Sequence, residues 1–344
     1  MLDIKTVKLK TEEEIMSSWV DKESVIVSVV CATFNQELYI EDAITGFLMQ
    51  ETYFAFEIII HDDASTDNTA NIVRKYQKRY PKIIKPIFQK ENQFSKGGFK
   101  PTPYATSFAK GEFIALCEGD DFWVDASKIN SQLVYLQKNS NVDLCIHDAT
   151  IINGNGDFLP KSFHSHSTKP ALIDYSLMYT QNGQLAATAS YFFRKSSLNK
   201  AIPILKNAPV GDFFIEAIVG LNGIFYIPDK MSVYRYEALG SWTEKTFLVA
   251  DKRLIHNYKM LESLDELINI LPRKEAELVK FKKHFIHVGN MNMYIVKNEI
   301  LNSIKSYLRS LKGSESVKSN LINFLIVVRL YRFFRIIKKS LSKF

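Results

Sequence analysis

No run in the 344-residue sequence reaches the roughly 18–20 consecutive apolar residues that a bilayer-spanning helix requires. The first 23 residues, MLDIKTVKLKTEEEIMSSWVDKE, are polar and mixed in charge and lack the apolar centre of a secretion signal. Both absences predict a cytoplasmic chain. Cysteine is scarce: Cys31, Cys117 and Cys145 are an odd count and all lie in apolar runs. They predict small core residues in a reducing compartment, not a disulfide framework or a zinc site. The body of the chain has no surplus of positive charge. Seven of the 44 Lys and Arg fall between Lys318 and Phe344, where no Asp or Glu occurs, leaving 37 basic against 37 acidic residues elsewhere. A basic nucleic-acid-binding face on the body is thereby disfavoured.

What is present is an alternation of buried strands and amphipathic helices. VIVSVVC (Val25–Cys31) and FEIIIH (Phe56–His61) are apolar runs of the kind buried on both faces of a parallel sheet. FIALC (Phe113–Cys117) and VDLCIH add two more, and KIIKPIF a short or edge strand because of Pro86. YIEDAITGFLMQ, TANIVRKYQKRY and KINSQLVYLQKN carry helical spacing between them. This order predicts an α/β fold with a doubly wound, mostly parallel sheet. Further on, ATASYFFRK, GIFYIP and MSVYRY read as strands around a helical GDFFIEAIVG; from about Ser241 the periodicity is helical.

The strands end in acids. FEIIIH runs into Asp62-Asp63 and then Ser65-Thr66-Asp67-Asn68-Thr69; FIALC runs into Glu118-Gly119-Asp120-Asp121. Ligands of open parallel sheets bind beyond the carboxyl ends of the strands. Carboxylates gathered there repel one another unless they meet a cation or hydrogen-bond donors. Their hard oxygens suit Mg²⁺ or Mn²⁺ shared with a phosphate, and Gly119 allows a tight turn between them. Turn and helix-capping chemistry remains the alternative for Asp62 to Asn68, and a plain loop for Asp120-Asp121.

VSVVCATFNQELYIEDAITGFLMQETYFAFEIIIHDDASTDNT resembles the opening of the family 2 glycosyltransferases, which have the GT-A fold, and AKGEFIALCEGDDFW resembles their metal-binding region. The resemblance covers roughly Ser24 to Trp242 and implies roles. Ala32, Thr33, Phe34, Asn35 and Glu37 match the nucleotide-binding loop; Asp62 and Asp63 match the acids that hold base and ribose. Asp120 is the implied metal ligand, with Asp121 and Glu118 assisting, and Glu118 stands where an aspartate is usual. Asp212 in VGDFFIEAI matches the catalytic base, with Glu216 the runner-up, and one base with one displacement implies inversion. MSVYRYEALGSWTEK resembles the family's closing segment, where a histidine often follows the Tyr-Arg pair; here none follows Arg235, and Arg235 or the backbone near Gly240-Ser241 is the implied substitute at the diphosphate, a plain surface ion pair being the other reading of Arg235. The motif of processive synthases is absent, which favours single additions.

Other residues carry two readings each. Trp123 packs against the sugar or anchors the core, and His147 lines an acceptor pocket or is structural. Trp242 lies in the same closing segment as Ser241. The Glu91–Pro103 loop covers the sugar or merely connects, and it is no Walker loop. His164 and His166 sit in a Ser-rich loop, and His284 and His287 share a helix without nearby acids.

In the tail, Leu330, Phe333, Phe334, Ile337, Leu341 and Phe344 fall on one helical face and Arg332, Arg335, Lys338, Lys339 and Lys343 on the other. That is the pattern of a helix lying in an anionic membrane interface, or of one packed on the protein itself.

The expected organisation is therefore an N-terminal extension (1–23), a GT-A domain (24–245), a helical region (246–317) and a basic amphipathic tail (318–344). The expected function is metal-dependent transfer from a nucleotide-sugar, with UDP favoured, to a glycan or lipid-linked acceptor in surface polysaccharide assembly, at the inner face of the cell membrane. The alternatives are a sugar- or nucleotide-binding protein that has lost the chemistry, and a nucleotidyltransferase. The last would place a Gly-rich loop with Arg and Lys after the first strand, where CATFNQE stands.

Overall fold

A computed structural model describes residues 3–163, 165–180, 183–239, 249–297 and 299–311. His164, Gly240, Ser241, Trp242 and the tail 318–344 lie outside the described residues. The chain divides into two compact units, 1–178 with 183–245, and 179–182 with 246–344.

The larger unit is built on one ten-stranded sheet. Its first half follows the alternation in the sequence. Strands β1 (Val25–Thr33), β2 (Ala55–Asp62), β3 (Ile84–Phe88) and β4 (Phe113–Leu116) lie parallel in the order β3-β2-β1-β4. Pro86 lies in β3, which has only β2 as a neighbour, so its missing N–H leaves no gap in a ladder.

Preceding β1, helix α1 (Glu12–Ser17) is opened by a capping box between Thr11 and Glu14. Helices α2 (Ile40–Leu48), α3 (Thr69–Arg79) and α4 (Pro101–Thr106) connect the parallel strands. On α2, Ile40, Ala43, Ile44 and Phe47 are wholly buried in one cluster with Val27, Val29, Ile58 and Ile60 of the sheet. Each such large side chain removed from water contributes about 1.5–3 kcal/mol.

Beyond β4 the sheet is mixed. It continues as β9-β6-β10-β5, with β5 (Phe122–Trp123), β6 (Leu144–Ile152), β9 (Phe192–Arg194) and β10 (Ile224–Arg235). β9 runs antiparallel to both β4 and β6, and β10 is parallel to β6 and antiparallel to β5. Two further strands, β7 (Phe158–Ser162) and β8 (Ala171–Ile173), attach to β6 and β10. The segments GIFYIP and MSVYRY are thus one strand, β10, whose register shifts between Ile227 and Ser232 around Pro228-Asp229. Helix α5 (Lys128–Lys138) precedes β6, and α6 (Asp212–Val219) precedes β10.

The first 23 residues are part of this core. Ile15 and Trp19 are buried in the main cluster; Trp19 meets Phe56 edge-on at 5.5 Å and donates its indole N–H to Thr52 Oγ1 at 3.1 Å. The buried Glu12 carboxylate accepts the backbone N–H groups of Lys82 and Ile83.

The smaller unit is helical: α7 (Ala250–Ile270), α8 (Val279–Val296) and α9 (Ile300–Ser310). Asn257 of α7 donates to Asn290 of α8 at 2.7 Å, and the hydroxyls of Tyr258 and Tyr294 meet at 2.8 Å. Among the described residues no helix is long and apolar enough to cross a membrane.

Candidate active site

The register pairs Thr33 with Asp62 and Val30 with Leu116, so β1, β2 and β4 open onto one edge of the sheet. There the loops after β1 and β2 are cross-bonded. Asn35, held at φ 53°, donates its backbone N–H to Ser65 Oγ, and its Oδ1 accepts the Thr66 N–H. The Gln36 N–H donates to Thr69 Oγ1, the Glu37 N–H to Asp67 Oδ2, and the Asn68 N–H to Glu37 Oε2, all at 2.8–3.0 Å. The run of small polar residues after Asp63 thus docks one loop on the other. Ala32 and Phe34 are half-buried, Thr33 is buried, and Asn35 and Glu37 are exposed.

The two acids ending β2 differ. Asp63 accepts the Gln93 and Phe94 N–H groups, each at 2.9 Å, so its carboxylate holds the loop after β3 in place. Asp62 accepts the Ser65 N–H through Oδ2, but its buried Oδ1 has no partner. That oxygen is an acceptor awaiting a donor.

The loop after β4 lies against the loop after β1. Gly119 donates its N–H to the Ala32 carbonyl. A Cβ at Gly119 would overlap Gln36 Oε1 and stand 2.8 Å from Thr33 Oγ1, so the glycine is required by close approach. Gln36 accepts from Thr33 Oγ1 at 2.8 Å, and its side chain helps to hold the Asp120 carboxyl down.

The three acids are graded in depth: Glu118 is open to water, Asp120 half-buried and Asp121 fully buried. Protein atoms crowd Glu118 even though water reaches it. That desolvation, then the charges of Asp120 and Asp212, push it up to about 8. Burial raises Asp120 too, against the opposing pull of Arg235 and Gln36. Asp121 is pushed well up by burial and then by the charges of Asp120 and Glu118.

Arg235 underpins this loop and is itself nearly buried. Its backbone N–H donates to Asp121 Oδ1 at 2.9 Å, Nη1 donates to the Asp120 carbonyl at 2.5 Å, and Nη2 pairs with Asp42. The guanidinium lies over the rings of Tyr39 and Phe122, 4.9 and 4.6 Å from their centroids. It is built into the loop's foundation, which corrects its assignment as a side-chain contact to the diphosphate.

Among the described residues no three His, Cys, Asp or Glu side chains form a ready-made cation cage. The donor set instead fits an ion that takes one or two carboxylates and completes its shell with phosphate oxygens and water. Asp121 Oδ2, buried without a partner, and the mutually repelling carboxyls beside it are what such an ion would relieve.

Asp212 opens α6, half-buried, and its Oδ1 accepts the Phe213 N–H at 2.7 Å. Its charge reaches Glu118 of the acidic loop and helps to raise that carboxyl.

Three other residues singled out in the sequence are not available to a ligand. Glu216 is wholly buried and accepts from the Leu185 and Ala186 N–H groups and from Tyr191 Oη at 2.6 Å, so it anchors the 185–191 segment and cannot serve as the alternative base. Trp123 is wholly buried, edge-on to Phe47 at 4.8 Å, with its indole N–H on the Ala189 carbonyl; it anchors the core and does not face a sugar. His147 lies in β6 at 1% exposure beside the buried Lys128, and burial and then that lysine's charge hold it well below its usual range, which rules out lining an acceptor pocket.

Sequence reasoning missed Gln36, Tyr39 and Asp42, whose roles come from partners distant in the chain. Gln36 stood within the quoted CATFNQE, which was the one available signal.

Residues 28–202 match the Glycosyl transferase family 2 model, half of the chain. An uncharacterized protein of Mycobacterium tuberculosis is 34% identical over 221 residues, 63% of this chain and 60% of that protein, so the match spans less than two thirds of the relative's length. The poly(ribitol-phosphate) beta-N-acetylglucosaminyltransferase TarS of Staphylococcus aureus is 27% identical over 228 residues, 64% of this chain and 37% of TarS.

The crystal structure of TarS residues 1–349 with UDP-GlcNAc superposes with a TM-score of 0.52 at 19% identity, covering 84% of this chain and 93% of that one. A mannosyltransferase from Pyrobaculum calidifontis in complex with GDP-Man and Mn²⁺ gives 0.52 at 14% identity, covering 96% and 87%. At these identities the structural likeness concerns the fold: a mixed central sheet with flanking helices, followed by a helical C-terminal region. With the family match over the strands that carry the acids, the chain belongs to glycosyl transferase family 2.

Proposed function

We propose that this protein transfers a sugar from a nucleotide-diphosphate donor, with UDP favoured, to a hydroxyl of a glycan or lipid-linked acceptor, with inversion at the anomeric carbon. The observation that carries this reading is the gathering of Glu118, Asp120 and Asp121 at the edge where β1, β2 and β4 end, with the charge of Asp212 reaching Glu118. The nucleoside lies against the loops after β1 and β2, with Asp62 Oδ1 accepting from a base N–H or a ribose hydroxyl.

Asp120, with Glu118 or Asp121, would hold Mn²⁺ or Mg²⁺, which neutralises charge developing on a diphosphate leaving group. Asp212 takes the proton of the acceptor hydroxyl as its oxygen bonds to the anomeric carbon and the bond from that carbon to the diphosphate oxygen breaks. The complexes of TarS with UDP-GlcNAc and of the Pyrobaculum enzyme with GDP-Man and Mn²⁺ support the donor class and the ion.

Residues 24–245 form the catalytic domain on this reading, and the tail 318–344 holds the chain to an anionic membrane surface at the cytoplasmic face. The amphipathic pattern of the tail supports that placement. Truncation after Leu311 should then abolish association with anionic liposomes while the remaining chain folds.

The deciding experiment incubates the full chain with a panel of nucleotide sugars, with Mn²⁺ or with EDTA, and measures released UDP or GDP. Release that requires the metal supports the proposal. A protein that binds donors but never turns them over would be the non-catalytic alternative, and pyrophosphate made from a nucleoside triphosphate would mark a nucleotidyltransferase.

A further inference from the structure

The smaller unit carries an open, groove-like cavity of about 420 Å³, within the roughly 300–1,000 Å³ typical of small-molecule sites. Its chemistry is one-sided. Lys280, Lys283, His284 and His287 from α8 and Arg309 from α9 line it together, with Glu277 the one acid among the described lining residues and Ile268 and Ala276 supplying apolar wall.

The cationic groups are incompletely matched. Lys283 Nζ pairs with Asp265 at 2.6 Å, and Lys280 stands 3.7 Å from Glu277 in a contact open to water. Arg309 has no hydrogen-bond or ion-pair partner among the described residues. His284 directs Nδ1 at the Ser310 carbonyl at 2.9 Å. His287 is nine-tenths buried, and its Nδ1 has no partner.

Leaving the two imidazoles aside, three cations face two carboxylates, Glu277 and Asp265. Burial and then the charges of Arg309, Lys283 and His284 press His287 down to about 4. A cavity whose own cations suppress protonation of a buried imidazole is an electrostatic trap for an anion.

We propose that this cavity binds a phosphorylated ligand, a phosphate monoester or a diphosphate, with the Arg309 fork and Lys280 and Lys283 neutralising its oxygens. Arginine suits this because its planar donors meet two phosphate oxygens at once, while lysines act as point charges. The volume leaves room for an organic portion against Ile268 and Ala276. The site lies within residues 246–344 and does not depend on the donor chemistry proposed above.

The test uses the full chain, titrated calorimetrically with sodium pyrophosphate in EDTA, where the acidic loop of the larger unit repels anions. Saturable binding is expected, and Arg309→Ala and Lys280→Ala, both at solvent-accessible side chains, should each weaken it by about tenfold or more. Binding should also raise the pH at which His287 titrates, followed by imidazole proton resonances.

A second arm uses phosphatidylcholine vesicles with and without a polyprenyl diphosphate. Loss of binding by Arg309→Ala on doped vesicles as well as with pyrophosphate identifies a lipid headgroup; loss with pyrophosphate alone identifies a soluble ligand. Undiminished binding by both variants, or no saturable binding by the wild type in either arm, overturns the proposal. Donor hydrolysis reads the other unit, so failure there leaves this measurement intact.

Discussion

Arg235 and Asp42 lie 193 residues apart in sequence and form an ion pair in which the two side chains are only 9% and 13% exposed. The pair joins the end of β10 to the first turn of α2, directly beneath the acidic loop. Removing one partner of such a pair strands the other charge. Arg235→Met should cost about 3–5 kcal/mol, read as a lowered urea midpoint. The double variant Asp42→Asn/Arg235→Met should recover part of that loss; no recovery would mean the two groups are not coupled.

Gly119→Ala tests the contact between the acidic loop and the loop after β1. The added carbon would overlap Gln36 Oε1 and crowd Thr33, at 2.8 Å from its Oγ1 and 2.9 Å from its Cβ. Crowding of this kind costs about 1–3 kcal/mol. The variant should stay folded by circular dichroism while its metal-supported donor affinity drops. Unchanged affinity would show that the loop's position does not matter to the donor.

The proposed division of labour between acids separates by substitution. Asp120→Asn should sharply reduce Mn²⁺-supported donor binding. Asp212→Asn should leave donor binding nearly intact while lowering transfer by about 10²–10⁴-fold, the usual worth of a positioned general base. Near-normal transfer by Asp212→Asn would send the base role elsewhere.

Lys128 gives a pH-dependent prediction. It is wholly buried, with Nζ bonded to Gln132 Oε1 at 2.8 Å and lying 4.0 Å from the Trp123 ring centroid. Burial pulls it down from 10.5 to about 7. Below the lower value both folded and unfolded chains carry the proton, and the fold bears a buried charge. Between the two values the folded chain has released the proton and the unfolded chain keeps it, so stability rises with pH across that window. The rise should be of the order of a few kcal/mol and absent in Lys128→Met, compared by urea melts at about pH 6.5 and about pH 9.5. Parallel pH profiles for the two proteins would show that Lys128 does not titrate there.

Strands β1, β2 and β4 were legible because residues buried on both faces leave uninterrupted apolar runs, and the acids at their ends stood out against them. In the mixed half the segments of β6, β9 and β10 read as strands too, but their antiparallel pairing did not, because β9 has only three residues and is reached through a long irregular segment. Trp123, His147 and Glu216 looked like site residues because polarity and aromaticity are visible in a sequence and burial is not. Glu216 shows the difficulty: its four hydrogen bonds come from residues 25 to 31 positions away, three of them from the backbone N–H groups of Leu185 and Ala186 that any sequence would supply. The 1–23 segment read as a polar extension because Ile15 and Trp19 are two isolated anchors in a charged context.

The bonds that tie Asn35, Gln36 and Glu37 to Ser65, Thr66, Asp67, Asn68 and Thr69 run in both directions between the two segments. A slip of either segment by one residue would break all of them together. A visiting nucleoside would therefore meet a rim that is rigid beforehand, and little of its binding free energy would be diverted into freezing backbone motion.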